Sequence, residues 1–180
     1  EIKTVIGHEC GHIHNHHTVY TLLADLLFRT AGATIPSLGT ILSLASTPMK
    51  YALSAWSRAA EITADRAGII CSEKPEDMYS LQAKLMSGGV LNVDVYDVDA
   101  ILRQYDAVRG TSIRLEELYF DHPSGARRIL AAREFIESEV LYHWRPELKV
   151  PGMVFTNKDE LDARCNEYVA VLRKRKRDGR

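Results

Sequence analysis

The chain has 180 residues, 46% of them apolar, which is material for one domain with a substantial core and too much for a disordered or disulfide-stapled scaffold. Its 23 basic and 24 acidic residues nearly cancel, so no overall field draws it to nucleic acid or an anionic membrane. Cys10, Cys71 and Cys165 are scattered and form no CxxC pair, which argues against a disulfide framework or a cysteine zinc knuckle and fits a reducing, cytoplasmic setting.

In chain order the pattern is helical almost throughout. The opening "EIKTVIGHE" reads as a helix already under way, with no leader pattern ahead of it, so the chain is expected to be a piece of a longer protein. Residues 2–17 keep helical spacing, and 18–30 continue that helix or start another. The stretch 31–48, rich in Gly, Ser, Thr and Pro, reads as a long connection. A membrane hairpin over 31–57 is disfavoured, because spanning needs roughly 20 predominantly apolar residues and Pro36, Gly39, Pro48 and Lys50 interrupt the run. Ser46 or Thr47 then caps a strong helix with Pro48 in its first turn. Further helices follow in "KPEDMYSLQAKLMSGG", in "VDVYDVDAILRQYDAVRG" and, unbroken, in "HPSGARRILAAREFIESEVLYHW". Asn157 and Glu160 suggest a capping box for the last helix, and the terminal "LRKRKRDGR" reads as a solvated basic tail. The expected fold is mainly α.

Chemistry concentrates in "VIGHECGHIHNHH". His8, Glu9 and His12 spell H-E-x-x-H. Four residues apart on a helix, the two imidazoles share a face and converge on one point, as a tetrahedral zinc requires, while Glu9 is angled to act as base on a zinc-activated water. Cys10, about 200° round from His8, is expected to face the core. The metzincin pattern would need a glycine at 15 and a histidine at 18; Asn15 and Thr18 stand there instead. His16 lies on the ligand face, yet collinear ligands on one straight helix cannot wrap a tetrahedron, so His14 and His16 read as solvent-side or loop-packing residues.

A catalytic zinc with an open position needs a third protein ligand. "RAAEITADRAG" offers Glu61 and Asp65, again four apart. One carboxylate can bind the ion while the other accepts the free N–H of a liganding histidine. Glu61 sits among Ala59, Ala60, Ile62 and Ala64, and an acid on a face that packs needs a partner.

H-E-x-x-H, then Glu61-Ile62-Thr63-Ala64-Asp65, then His122-Pro123 with Arg128, resembles the M48 zinc metallopeptidases, a gluzincin family that includes the CAAX prenyl proteases. His17 falls where many members carry a histidine nine residues after the first ligand. The resemblance spans residues 1 to about 140. It implies one Zn2+ per chain on His8, His12 and Glu61, with Glu9 as general base and then acid. It also implies Asp65 as the group orienting a ligand, His122 as the histidine near the scissile carbonyl, and Arg128 as the cation fixing those carboxylates. Arg127, one position off, is expected to be exposed. Members carry a β-sheet ahead of the active-site helix, whose edge strand holds the substrate backbone; here that sheet is largely absent.

The expectation is therefore a zinc-dependent endopeptidase acting on peptide or protein substrates, with no nucleic-acid partner. Residues 1–145 would form the catalytic core and 146–180 a helical extension. The competing reading is a metal-stabilised helical scaffold that binds a partner without turnover; an intact Glu9 argues against it, since a structural zinc has no use for a base.

Overall fold

The computed structural model describes residues 1–23, 26, 36–88, 97–108 and 123–170, with 36–50 and 108 described by their backbone alone. The described residues are mainly helical, as the periodicity predicts: α1 (Ile2–His14), α2 (Pro36–Cys71), α3 (Asp77–Met86), α4 (Val98–Val108), α5 (Gly125–Ile136), α6 (Glu139–Trp144) and α7 (Lys158–Val169). Among them there is no strand, only an isolated bridge between Ser138 and Thr156, and no helix long and apolar enough to cross a membrane.

The packing of α1 on α2 positions everything that follows. Thr4, Gly7 and Gly11 form the buried face of α1, a spacing that keeps them on one side of a helix. A Cβ on Gly7 would lie 2.6 Å from Cys71 Cβ, one on Gly11 2.8 Å from Ala67 Cβ, and one on Gly68 of α2 2.7 Å from the Thr4 carbonyl oxygen. The two backbones therefore touch with no side chain between them. Cys10 is exposed rather than facing the core. The buried side of α1 is its glycine face, next to the histidines, and the opposite side, with Ile2, Val5, Ile6 and Ile13, is open to solvent.

Against the C-terminal part of α2, helices α3, α5, α6 and α7 close an apolar core around Ile69, Met78, Phe135, Leu141 and Leu161. A smaller cluster joins Leu102 of α4 to Ala126 and Ile129 of α5. Arg145 Nη1 donates to the carbonyls of Ile70 and Ser72 at 2.7 and 2.8 Å, satisfying acceptors at the end of α2 that the helix itself leaves open.

Three elements differ from the sequence reading. The expected connection at 31–48 is helix from Pro36 on, so Pro48 lies inside α2 and not in its first turn; Leu38, Ile41, Leu42 and Ala45 carry helical spacing through the Ser and Thr that suggested a loop. The helix expected to run unbroken through residue 144 stops at Ile136 and restarts at Glu139. At the break the buried Ser138 hydroxyl donates to the Phe135 carbonyl at 2.7 Å, and Glu139 N–H donates to Thr156. Such local bonding by serine competes with the helical ladder. The helix read as continuing past His14 turns at Asn15 and His16, the latter at φ 55°, before helical backbone resumes at 17–23.

Candidate metal centre

His8 and His12 project from α1, one turn apart, toward Glu61 on α2, which is 6% exposed. His8 Nε2 lies 3.1 Å from His12 Nε2. Glu61 Oε2 is 3.6 Å from His8 Nε2, and Glu61 Oε1 is 3.5 Å from His12 Nε2. Four ligands at zinc-like bond lengths of 2.0–2.1 Å in a tetrahedron stand about 3.3 Å from one another, so these separations bracket what a single ion needs. Two imidazole nitrogens and a carboxylate facing one another at this range are satisfied together only by a shared proton or a cation. The donor set fits zinc.

The ring orientations support the same role. His8 Nδ1 is 3.0 Å from Asp65 Oδ1, so that ionised carboxylate accepts from Nδ1–H and the Nε2 lone pair is left aimed at the cluster. His12 Nδ1 lies 3.0 Å from His17 Nδ1. With His12 as the donor there, its Nε2 is bare in the same sense. Burial holds His12 below the ordinary histidine value despite the nearby Glu61, and burial followed by the charge of His12 does the same for His17. Burial thus favours the neutral form of both rings, the form that binds metal. The positive φ at His16 turns the chain back so that His17 meets His12.

Arg128 on α5 closes the far side. Its Nε and Nη2 donate to the two oxygens of Asp65 at 2.7 and 2.6 Å, and its Nη1 is 3.3 Å from Glu61 Oε2. Burial alone would raise the Asp65 carboxyl, yet the paired hydrogen bonds and charge of Arg128, with His8 adding, hold it below the ordinary aspartate value. Burial likewise works against the guanidinium, and Asp65 with Glu61 overcomes it. Gln82, buried in α3, sets one end of its side-chain amide 3.1 Å from both Nη2 and Nε of Arg128, two donors that an amide oxygen placed at that end would satisfy.

Of the residues singled out in the sequence, His8, His12, Glu61, Asp65 and Arg128 are brought together. Glu9 is exposed on α1 next to His8, and His14 and His16 are exposed as expected. His122 lies outside the described residues; Pro123 after it is buried. Arg127 is not exposed but 3% accessible, its Nε donating to the Tyr105 hydroxyl at 2.6 Å and its Nη1 to the carbonyls of Tyr168 and Ala170. The helix is buried on more than one side there, so the neighbour of an inward arginine also points inward. Gln82 went unnoticed in the sequence because a lone glutamine on a helix carries no spacing signal.

A helical core that converges two histidines of H-E-x-x-H and a carboxylate from a second helix is the build of a metallopeptidase. The model of peptidase family M48 matches residues 1–136, well over half of the chain, and the chain belongs to that family. It is also 34% identical over 105 residues, 58% of its length, to the plastoglobule-localized metallopeptidase 48, chloroplastic, of Arabidopsis thaliana, of which the match covers 29%. No solved structure matches the chain.

Proposed function

We propose that the chain carries the catalytic core of a zinc-dependent endopeptidase. The observation that carries the reading is the convergence of His8, His12 and Glu61, whose ligand atoms all lie within 4.8 Å of one another, with Asp65 Oδ1 3.0 Å from His8 Nδ1. His8 Nε2, His12 Nε2 and a Glu61 oxygen would hold the ion. Bound there, zinc supplies Lewis acidity to a substrate carbonyl and acidifies a water. Glu9 takes the proton of the attacking water and returns it to the leaving amine. Asp65 keeps the His8 ring in its liganding orientation, and Arg128 keeps Asp65 ionised and in place. His122 donates to the carbonyl oxygen as negative charge develops on it. Residues 1–145 carry this chemistry, and 146–180 are a C-terminal extension to it. The substrate is a peptide or protein.

A Glu9→Gln variant tests the reading. Zinc content by mass spectrometry should stay near one per chain while hydrolysis of a peptide library falls about 10²–10⁴-fold, the usual contribution of a general base. Equal turnover in the two proteins would remove Glu9 from the mechanism. Glu61→Ala should lose the zinc; full retention would show that Glu61 is no ligand.

A further inference from the structure

The ion site adjoins a cavity of about 310 Å3 that none of the chemistry above uses. His12 and Glu61 belong to its wall, and the rest of the lining includes Leu53, Trp56, Ser57 and Ala60, all on α2. The volume sits at the lower end of the roughly 300–1,000 Å3 of ligand pockets, ample for one large side chain. Trp56 is held by ring edges on two sides: His17 at 5.6 Å and 90°, and Tyr20 at 6.0 Å and 77°. The Thr21 hydroxyl, also in the lining, is already spent on the His17 carbonyl at 3.0 Å. Among the described residues, no lysine, arginine or aspartate lines the cavity.

Given the peptidase reading on which it rests, we infer that this cavity is a specificity pocket. It receives a bulky apolar side chain, aromatic or long aliphatic, from the residue flanking the scissile bond, and Trp56 is its principal recognition surface. A carbonyl brought to the ion leaves its neighbouring side chain within reach of a wall that starts at His12 and Glu61. A fixed indole face with Leu53 and Ala60 stabilises apolar surface that leaves water. A charged side chain would lose its hydration there and find no counter-charge, because the one acid in the wall, Glu61, is committed to the ion and to Arg128.

The test uses quenched-fluorescence peptides that differ at one position, with Phe, Leu, Ala, Asp or Lys, on the zinc-loaded chain. The expected result is kcat/KM for Phe and Leu at least tenfold above Asp and Lys. Trp56→Ala should flatten that ranking, and Ser57→Leu, which fills the cavity, should shift it toward Ala. An identical ranking in all three proteins overturns the pocket and leaves the peptidase reading standing. A second readout needs no turnover: in Glu9→Gln with Trp144→Phe, Trp56 is the one remaining indole of the two in the chain, and its emission should shift saturably with the Phe peptide and not with the Asp peptide. If nothing is cleaved but that shift occurs, the peptidase reading fails and the specificity role with it, leaving only a cavity that binds apolar side chains; if neither peptide shifts the emission, the pocket itself is refuted.

Discussion

Arg127 and Arg128 are consecutive on α5 and both turn inward, yet they hold different things. Arg128 reaches the α1–α2 junction and grips the carboxylates of Asp65 and Glu61. Arg127, about 100° further round the helix, reaches the Tyr105 hydroxyl of α4 and the carbonyls at the end of α7. The first fixes charge beside the candidate ion; the second clasps helices. Residue type is the same, and Arg127 is the more deeply buried of the two, so what separates a site residue from a structural one here is whether its acceptors in turn touch the ligands.

The largest effect should follow from breaking the first grip. Arg128→Met leaves Asp65 and Glu61 buried without their guanidinium, and loss of one partner of a buried pair costs about 3–5 kcal/mol. Urea denaturation should register that loss, and zinc affinity should fall about 10–100-fold, as when a group supporting a ligand is removed. The pair also sets an acid limit. Because the folded-state value of Asp65 lies below its ordinary 3.8, its contribution is fully present above that value and lost as pH falls through the lower folded one. Arg128→Met should flatten that acid-side decline; an unchanged profile would mean the pair does not govern it.

Arg127→Met should be milder and of a different kind. Hydrogen bonds from a charged donor contribute about 1.5–3 kcal/mol, so stability should drop by that order while zinc content stays at the wild-type level. Loss of zinc here would erase the distinction between the two arginines. Smaller again is Gly11→Ala, which probes the junction that Arg128 faces. Its new methyl would meet Ala67 Cβ at 2.8 Å and Ala64 Cα at 3.0 Å, so α1 must shift, an overpacking cost of about 1–3 kcal/mol. The better helix propensity of alanine returns at most about 1 kcal/mol of that. Thermal melts with zinc titration should show both a lower midpoint and weaker binding, since His12 adjoins the displaced residue.

What was legible in the sequence was spacing within a helix. His8 and His12, and Glu61 and Asp65, are each four apart, and that interval alone puts each pair on one face. The joining of the two pairs rests on Gly7, Gly11 and Gly68, whose significance appears only when two backbones meet. Elements whose fate depends on tertiary partners were not legible. Ser138 ends α5 by bonding to Phe135 and by facing Thr156, and neither partner is marked in the local pattern. Arg127 was misread for the same reason: its acceptors lie 22 and more positions away along the chain. His17 had a position in the sequence but no geometry until the turn at His16 brought it to His12.

The smallest effect asks whether the clasp and the helix it holds are one unit. Arg127 grips the C-terminal end of α7, and Asn157 caps the other end, its Oδ1 accepting from Glu160 N–H at 2.9 Å. Asn157→Ala should cost about 1 kcal/mol, the usual loss of a cap. The helix is 12 residues long, so its ends stand about 18 Å apart at 1.5 Å per residue, and perturbations that far apart usually add within about 0.3–0.5 kcal/mol. Combining Asn157→Ala with Arg127→Met in a double-mutant cycle should therefore give the sum of the single losses. A combined loss clearly smaller than the sum would mean that either change already undocks α7 from α5. The Arg127 region would then be a single cooperative latch, set apart from the Arg128 cluster by its loss as a unit with the zinc still bound.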